Sequence, residues 1–422
     1  MPINPDDRIS VSEALVRVLE NVSVTPSEVI PTAQALGRVL AQDIISDINV
    51  SPFASSAMDG YAVLRSDLES ASEDAPVELR VIAAEGAGGV YEGEVTSGCT
   101  VRIMTGAPVP PGADAVIKYE IVDVIEGDGG PGSLVAFKKP AKPNENVRGV
   151  GEEFKEGDVV LKKSTTVNPY AMGLIASAGY DHIEVYKQPV VGVFSIGSEL
   201  VDAPQKPPFG KIRNCNTPCL AGLAQDAGAR VVTYQTVPDD PQLITNTLNR
   251  ALAECDMVIT AGGASKGDYD YINSIITGMG TVFFSYMSLK PGKRQTFGII
   301  NGTPIFGLSG NPAAAAVGFE LLIRPALRKM QGFANLTRTC VEATILHDVK
   351  KRESRAFYNR GLVNRNENNE WVACEYGTQS SALLGDLERC NCLIVLPEDC
   401  AGLKAGDKVS CMRIDIPEGA ES

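Results

Sequence analysis

Three stretches decide the fold: VVGVFSIG at 190–197, DMVITAGG at 256–263 and TPIFGLSGNP at 303–312. Each is an apolar run of strand length that stops at a glycine turn. Each is also nearly continuous instead of alternating, as expected of a strand covered on both faces. The spaces between them read as helices. Asn216, Thr217 and Pro218 supply a cap and a first-turn proline, and Gly228 ends that helix. RVVTYQTV at 230–237 is a further strand, after which Asp239, Asp240 and Pro241 open a second helix. A third helix is predicted from about 312 to 330. This alternation over 189–331 implies one α/β domain with a mostly parallel sheet. The loops at its strand C-termini should gather at one edge, where such sheets bind ligands.

Outward from that domain the pattern changes. Residues 332–422 break into short strands, VEATIL, FYNRGLV, WVACEY, CLIVLP and KVSCMRI, which predict a C-terminal β-domain with Trp371 in its packing. On the other side, 77–124 reads as strands, with GDGGPGS at 127–133 as a surface turn. Ser10 and Glu13 form a capping box for a first helix, and Ala35, Leu36, Val39 and Leu40 suggest a second. The fold class is therefore α/β and multi-domain: a central mostly parallel sheet between β-rich parts.

Composition narrows the function. The 422 residues carry 52 acidic and 38 basic side chains, a formal charge of −14, which disfavours nucleic acid and anionic membrane as partners. No apolar run reaches the roughly 18 residues of a membrane span, and the N-terminus does not read as a secretion signal. Ten irregularly spaced cysteines predict reduced thiols and a cytoplasmic location. His182, read as lying in a polar break between helix and strand, and His347 offer no supported catalytic base.

Five segments carry candidate chemistry. SPFASSAMDGYAV (51–63) exposes Asp59 beside a glycine, and RIMTGAPVPPGADAV (102–116) presents Thr105. ITAGGASKGDYDY (259–271) leaves a buried strand through Gly262 and Gly263, presents Ser265, Lys266 and Gly267, and then offers Asp268 and Asp270: amides for a phosphate and a carboxylate for Mg²⁺. LSGNPAAA (308–315) places Gly310, Asn311 and Pro312 where a strand meets a helix, with first-turn amides free for an anion. SLKPGKR (288–294) bends Lys290 and Lys293 around Pro291-Gly292 in an acidic chain, so both can converge on one oxyanion. Taken singly, each segment also reads as a plain turn or helix cap, the segment at 259–271 least so. Together they are equipment for phosphoryl, nucleotidyl or oxyanion chemistry.

In this order the segments resemble the molybdopterin molybdenumtransferase family, which includes bacterial MoeA and the E domain of gephyrin. PFASSAMDGYAV, RIMTGAPVPPGADAV, GSEL, DDP, TAGGASKGDYDY, LKPGK, GLSGNP, RAFYNRG and GTQSS carry the likeness over about 9–411. The resemblance implies insertion of molybdate into adenylylated molybdopterin with hydrolysis and release of AMP, assisted by Mg²⁺. It implies four regions: an elongated region I from 1–26 and 145–188, an inserted β-rich region II from 27–144, the α/β region III from 189–331 and a β region IV from 332–422. It further implies a homodimer whose clefts draw on both subunits, with molybdopterin adenylyltransferase and acceptor molybdoenzymes or their chaperones as partners.

Residue by residue, Asp59, Thr105, Glu199, Asp239 and Asp270 fall on family positions. The carboxylates among them are candidates for orienting the pyrophosphate, with Glu199, Asp239 and Asp270 the candidate metal ligands. Lys290 and Lys293 match the lysines proposed to hold molybdate, and Arg360 and Ser381 match region IV contributors to that oxyanion site. Arg355 falls on another family arginine. The chain departs from the pattern at Ser198 (usually Asp or Asn), Ser309 and Arg294 (both usually Pro), Glu153 (usually Asp), Ala313-Ala314 (commonly Val-Ser) and Ala382 (usually His). These changes leave three alternatives beside the main reading: a tungstate-preferring homologue, a molybdopterin adenylyltransferase, or a non-catalytic scaffold.

Overall fold

The computed structural model describes residues 8–263 and 271–420. Its centre is a six-stranded sheet in the spatial order Arg230–Thr233, Val190–Ser195, Met257–Ala261, Thr303–Leu308, Arg294–Ile300 and Thr281–Tyr286. The first four strands run parallel, Arg294–Ile300 runs against them, and Thr281–Tyr286 at the edge is antiparallel to Arg294–Ile300. Alternate side chains of one strand enter two different cores. Met257, Ile259 and Ala261 face the helices Asn216–Asp226 and Pro312–Gly318, while Val258 faces Pro241–Glu254 and Tyr271–Met279. That double burial is why these strands are apolar throughout. Phe297 anchors the first core, its ring 4.9 Å from that of Phe306; burying one such side chain contributes roughly 1.5–3 kcal/mol.

The helix expected over 312–330 is continuous, but Phe319–Ile323 is wound as a wider π-type turn between Pro312–Gly318 and Arg324–Met330. Around it lies a buried charge cluster. Glu320 accepts from Arg338 at 2.8 and 3.1 Å, and Arg324 pairs with Glu418 and with Asp226. Arg328 reaches Glu418 at 3.1 Å, so a carboxylate only 1% exposed is shared by several guanidinium groups. The cluster ties the last part of the chain to the central domain.

Residues 340–413 form a barrel. Ala356–Arg365 pairs with both Trp371–Glu375 and Cys392–Leu396, and Cys340–Ile345 and Lys408–Arg413 complete the ring. Closure leaves no free edge among these five strands except where Leu289–Lys290 joins, parallel to Ala356–Phe357. Lys290 thus sits on the seam between sheet and barrel. Trp371 packs as expected, with Arg365 4.4 Å and Arg413 5.3 Å from its ring centre.

The inserted module is a six-stranded sheet, Ala115–Lys118, Gly60–Val63, Cys99–Ile103, Val77–Glu85, Leu134–Phe137 and Val122–Glu126. All its pairings are antiparallel except that of Val77–Glu85 with Cys99–Ile103. Its chain enters and leaves through Ser55–Ser56 paired with Val147–Arg148.

Three expectations need correction. The insertion does not start at 27: Ser27–Pro31 pairs with His182–Tyr186, and Ile44–Ile45 with Val159–Leu161, so both belong with region I, around a core that includes Leu40 and Ile175. The helix suggested through 35–40 is one 3₁₀ turn, Thr32–Gln34. Gly37 takes φ +77° and Val39 and Leu40 instead make single bridges to Thr166 and Val185. His182 is the first residue of a strand, not part of a break.

Candidate active site

The loops at the C-terminal ends of the parallel strands meet the barrel in a cleft of about 1110 Å³, large for a small-molecule site. Gly262 is there because only glycine fits. Its φ is +89°, and a Cβ would lie 2.1 Å from the carbonyl oxygen of Ile196. Gly263 and Gly310 border the same space, the latter 3.6 Å from Gly262 as measured from its own would-be Cβ. Asn216 donates to the Gly310 carbonyl at 2.9 Å and holds that turn down.

One flank of the cleft is acidic. Asp239 and Ser198 bind reciprocally: the Ser198 N–H donates to Asp239 Oδ2 at 2.7 Å, and the Asp239 N–H to Ser198 Oγ at 2.9 Å. The neighbouring Asp240 does a different job, capping the helix Pro241–Glu254 through the N–H groups of Gln242 and Leu243. Glu199 folds back over Gly197, its Oε2 2.5 Å from where a Cβ would stand. Glu199 and Asp239 both line the cleft. The third candidate metal ligand, Asp270, lies outside the described residues, as do Ser265, Lys266, Gly267 and Asp268. Among the described residues no group of three His, Cys, Asp or Glu gathers as a metal site. Two carboxylates still suit Mg²⁺, which keeps several waters and takes further oxygens from phosphate.

The other flank is cationic. Lys290, Lys293, Arg294 and Arg355 line it, with Gly292 at φ +94° turning the chain against Ala314. The Lys290 ammonium stands 4.5 Å above the Phe357 ring and 3.8 Å from Glu353. Arg355 donates to the Leu289 carbonyl at 3.2 Å and pairs with Glu353. Arg294 stacks 5.3 Å from the ring centre of Tyr286. Asn311 and Pro312 complete the floor, but the first-turn amides there are not all free. The Ala313 N–H donates to the Ser381 carbonyl at 3.0 Å, so the barrel's loop caps this helix.

Ser381, Gln379 and Ala382 reach the cleft from that loop. Arg360 does not line it. Its side chain is fully buried behind the loop, donating to the Ser380 carbonyl at 3.0 Å and lying 3.8 Å from Asp386, while Nε and Nη1 have no protein partner. Burial pulls its pKa down, offset in part by Asp386. Two unsatisfied donors on a buried cation are costly unless an anion or water meets them.

Asp59 and Thr105 are elsewhere. Both sit on the inserted module, where the Thr105 N–H and hydroxyl each donate to Asp59 Oδ1 at 2.7 Å. Those bonds hold the carboxyl below its ordinary pKa. Neither residue lines the cleft of its own chain. Conversely, Arg213, Asn216, Tyr286, Gln379 and Glu353 were not singled out as site residues. Gln379 alone among them lies in a segment that carries the resemblance, GTQSS; no motif marks Glu353.

Family models match nearly the whole chain in order. They are the MoeA N-terminal region (domain I and II) over 9–179, a probable molybdopterin binding domain over 192–329 and the MoeA C-terminal region (domain IV) over 342–414. Molybdopterin molybdenumtransferase of Staphylococcus aureus (strain COL) is 35% identical over 97% of this chain and 96% of its own length. The chain belongs to the molybdopterin molybdenumtransferase family. The Staphylococcus epidermidis enzyme of the same name (strain ATCC 12228) is 33% identical with the same coverage. A crystal structure of the molybdopterin biosynthesis MoeA protein from Pyrococcus horikoshii superposes with a TM-score of 0.81 at 31% identity, covering 96% of this chain and all of that one. The MoeA fold therefore accounts for the sheet, the insertion and the barrel alike.

Proposed function

We propose that this chain inserts molybdate into adenylylated molybdopterin, hydrolysing the adenylyl–pyrophosphate link and releasing AMP. The observation that carries this reading is one cleft lined both by the carboxylates Glu199 and Asp239, from loops at one end of the sheet, and by Lys290, Lys293 and Arg355, from its other end and the barrel. Gly262, Gly263 and Gly310 let backbone come close to the pyrophosphate, and Asp239 is held in place by Ser198. Lys290 and Lys293 bind molybdate as a tetrahedral dianion, with Ser381 beside it and Arg360 behind the loop. Glu199, Asp239 and Asp270 are the residues to hold Mg²⁺, which when bound offsets negative charge on the pyrophosphate. Ser265, Gly267 and Asp270 keep the phosphate-side roles implied by the family.

The proposal includes a homodimer, in which Asp59 and Thr105 of one subunit complete the other's cleft. Their exposure on the inserted module, away from their own cleft, supports it. A cytoplasmic location is part of the same reading. All ten cysteines are free thiols, and no helix among the described residues is long and apolar enough to cross a membrane.

The test is AMP release from adenylylated molybdopterin, titrated with molybdate and with tungstate. Molybdate-dependent release is the expected result, and a lower half-saturating concentration for tungstate would move the preference. Formation of adenylylated product from ATP and the pterin would make the chain an adenylyltransferase. Tight binding of the adenylylated pterin without AMP release under either oxyanion would make it a scaffold.

A further inference from the structure

We infer that the Glu353 carboxylate competes with the incoming oxyanion for Lys290 and Arg355, and so sets how tightly the cationic flank binds anions. The inference rests on the placement of molybdate beside Lys290 and Lys293 proposed above. The neighbouring cations do other work. Lys351 is buried and donates to the carbonyls of Glu398 and Cys400, at 2.7 and 2.8 Å, which leaves it a structural role in the barrel. Arg355 turns one nitrogen to the Leu289 carbonyl at 3.2 Å and the other to Glu353. Glu353 also stands 3.8 Å from Lys290. Its acidity is raised by Arg355 first and then by Lys290 and Lys293. One carboxylate therefore meets the field of three cations that line the cleft, and it is the same field that a dianion would meet.

Backbone and side chain are held differently. The loop before Ala356 is fastened on both sides: Arg8 binds the Ser354 carbonyl and Ser288 Oγ, and the Ala356 N–H donates to the Ser288 carbonyl at 2.9 Å. The Glu353 side chain is 44% exposed and the Lys290 side chain 42%. A fastened loop keeps the carboxylate within reach of the cations, while its exposure lets it swing into water at small cost. A dianion bound by several charge-assisted bonds wins that exchange; a weakly charged anion gains less from it.

Calorimetric binding of molybdate, tungstate and chloride to the full-length protein separates the possibilities. Glu353→Gln, which keeps the shape, should tighten molybdate roughly 3- to 10-fold and any chloride binding at the same cations by no more than that. The gain should shrink when the substitution is combined with Lys290→Ala/Lys293→Ala, because the competition then has less to act on. Unchanged or weaker molybdate binding in Glu353→Gln, with the lysine variant still impaired, would overturn the inference and leave the proposed oxyanion site standing. It would show Glu353 orienting the cations instead. Wild-type molybdate affinity in the lysine variant would remove the site itself, and the inference with it.

Discussion

The two flanks of the cleft are built in opposite ways. The acidic flank belongs to one domain and is held by short hydrogen bonds between neighbouring loops, Ser198 with Asp239, and by glycine turns that admit no side chain. The cationic flank is assembled across a seam. Lys290 comes from the central domain and Arg355 and Glu353 from the barrel, joined by the short pairing of Leu289–Lys290 with Ala356–Phe357. Pre-organised carboxylates suit a group whose charge must be met at a fixed point. Exposed cations with a competing carboxylate suit a small anion that must be caught and then passed on.

Loosening the hold of the chain's last part on the central domain should do the most damage. Glu418→Gln leaves Arg324, Arg328 and Arg338 around a neutral side chain in a buried cluster, and breaking such a cluster typically costs about 3–5 kcal/mol. Denaturant unfolding should show that loss. Molybdate affinity should fall with it, whereas magnesium dependence, set on the other flank, should hold. If stability is unchanged, the cluster does not secure the two domains to each other.

Asp239→Ala tests the acidic flank alone. AMP release should drop about 10²–10³-fold, as for loss of one pre-organised electrostatic contact, with the half-saturating molybdate concentration barely moved. Co-assembly with Asp59→Ala chains should restore about a quarter of wild-type turnover, because half of the dimers are mixed and each of those keeps one intact cleft. No recovery would argue against shared clefts.

On the cationic flank, Lys290→Ala or Lys293→Ala alone should raise the half-saturating molybdate concentration roughly 10- to 100-fold, the loss of one charge-assisted bond at about 1.5–3 kcal/mol, and the double variant should raise it further. Binding of adenylylated pterin should change far less. If both ligands weaken equally, the flanks are not separate.

The smallest effect concerns the outlying pair on the inserted module. Asp59 has a lowered pKa because Thr105 donates two hydrogen bonds to its carboxylate. Its contribution is present above the unfolded aspartate value and is lost as the pH falls through the lower, folded value. The Thr105 amide resonance should therefore titrate below the ordinary aspartate range. Thr105→Val, which removes one of the two bonds, should move that midpoint upward; an unmoved midpoint would mean that the hydroxyl bond does not form in solution.

The central domain was readable because its inner strands Val190–Ser195, Met257–Ala261 and Thr303–Leu308 are buried on two faces and some of its helix ends carry their own chemistry, as at Asp240-Pro241 and Gly228. The acidic flank was readable only through the family resemblance, which set Glu199 and Asp239 in the loops that follow the strands Val190–Ser195 and Arg230–Thr233. What escaped was assembled from afar. Nothing near Ser27–Pro31 announces that its partner strand is His182–Tyr186, so the start of the insertion was misplaced. Periodicity at 35–40 imitated a helix because spaced apolar residues fill a core equally well from an extended chain interrupted by Gly37. The seam pairing of Lys290 with Phe357 likewise depends on barrel closure, which brought Glu353 among the lysines without any motif to mark it.

The short ribbon in which Ser55–Ser56 pairs with Val147–Arg148 has a consequence for heredity. It brings the two ends of the inserted module side by side, and the module carries cores of its own, around Val63 and Phe137 on one face of its sheet and Val101 on the other. The rest of the chain meets it only as a closed loop, and loop-closure cost grows slowly with length, by about 0.6 kcal/mol per doubling. Such a cassette can lengthen, shrink or be exchanged between descendants while the elements on either side keep their register.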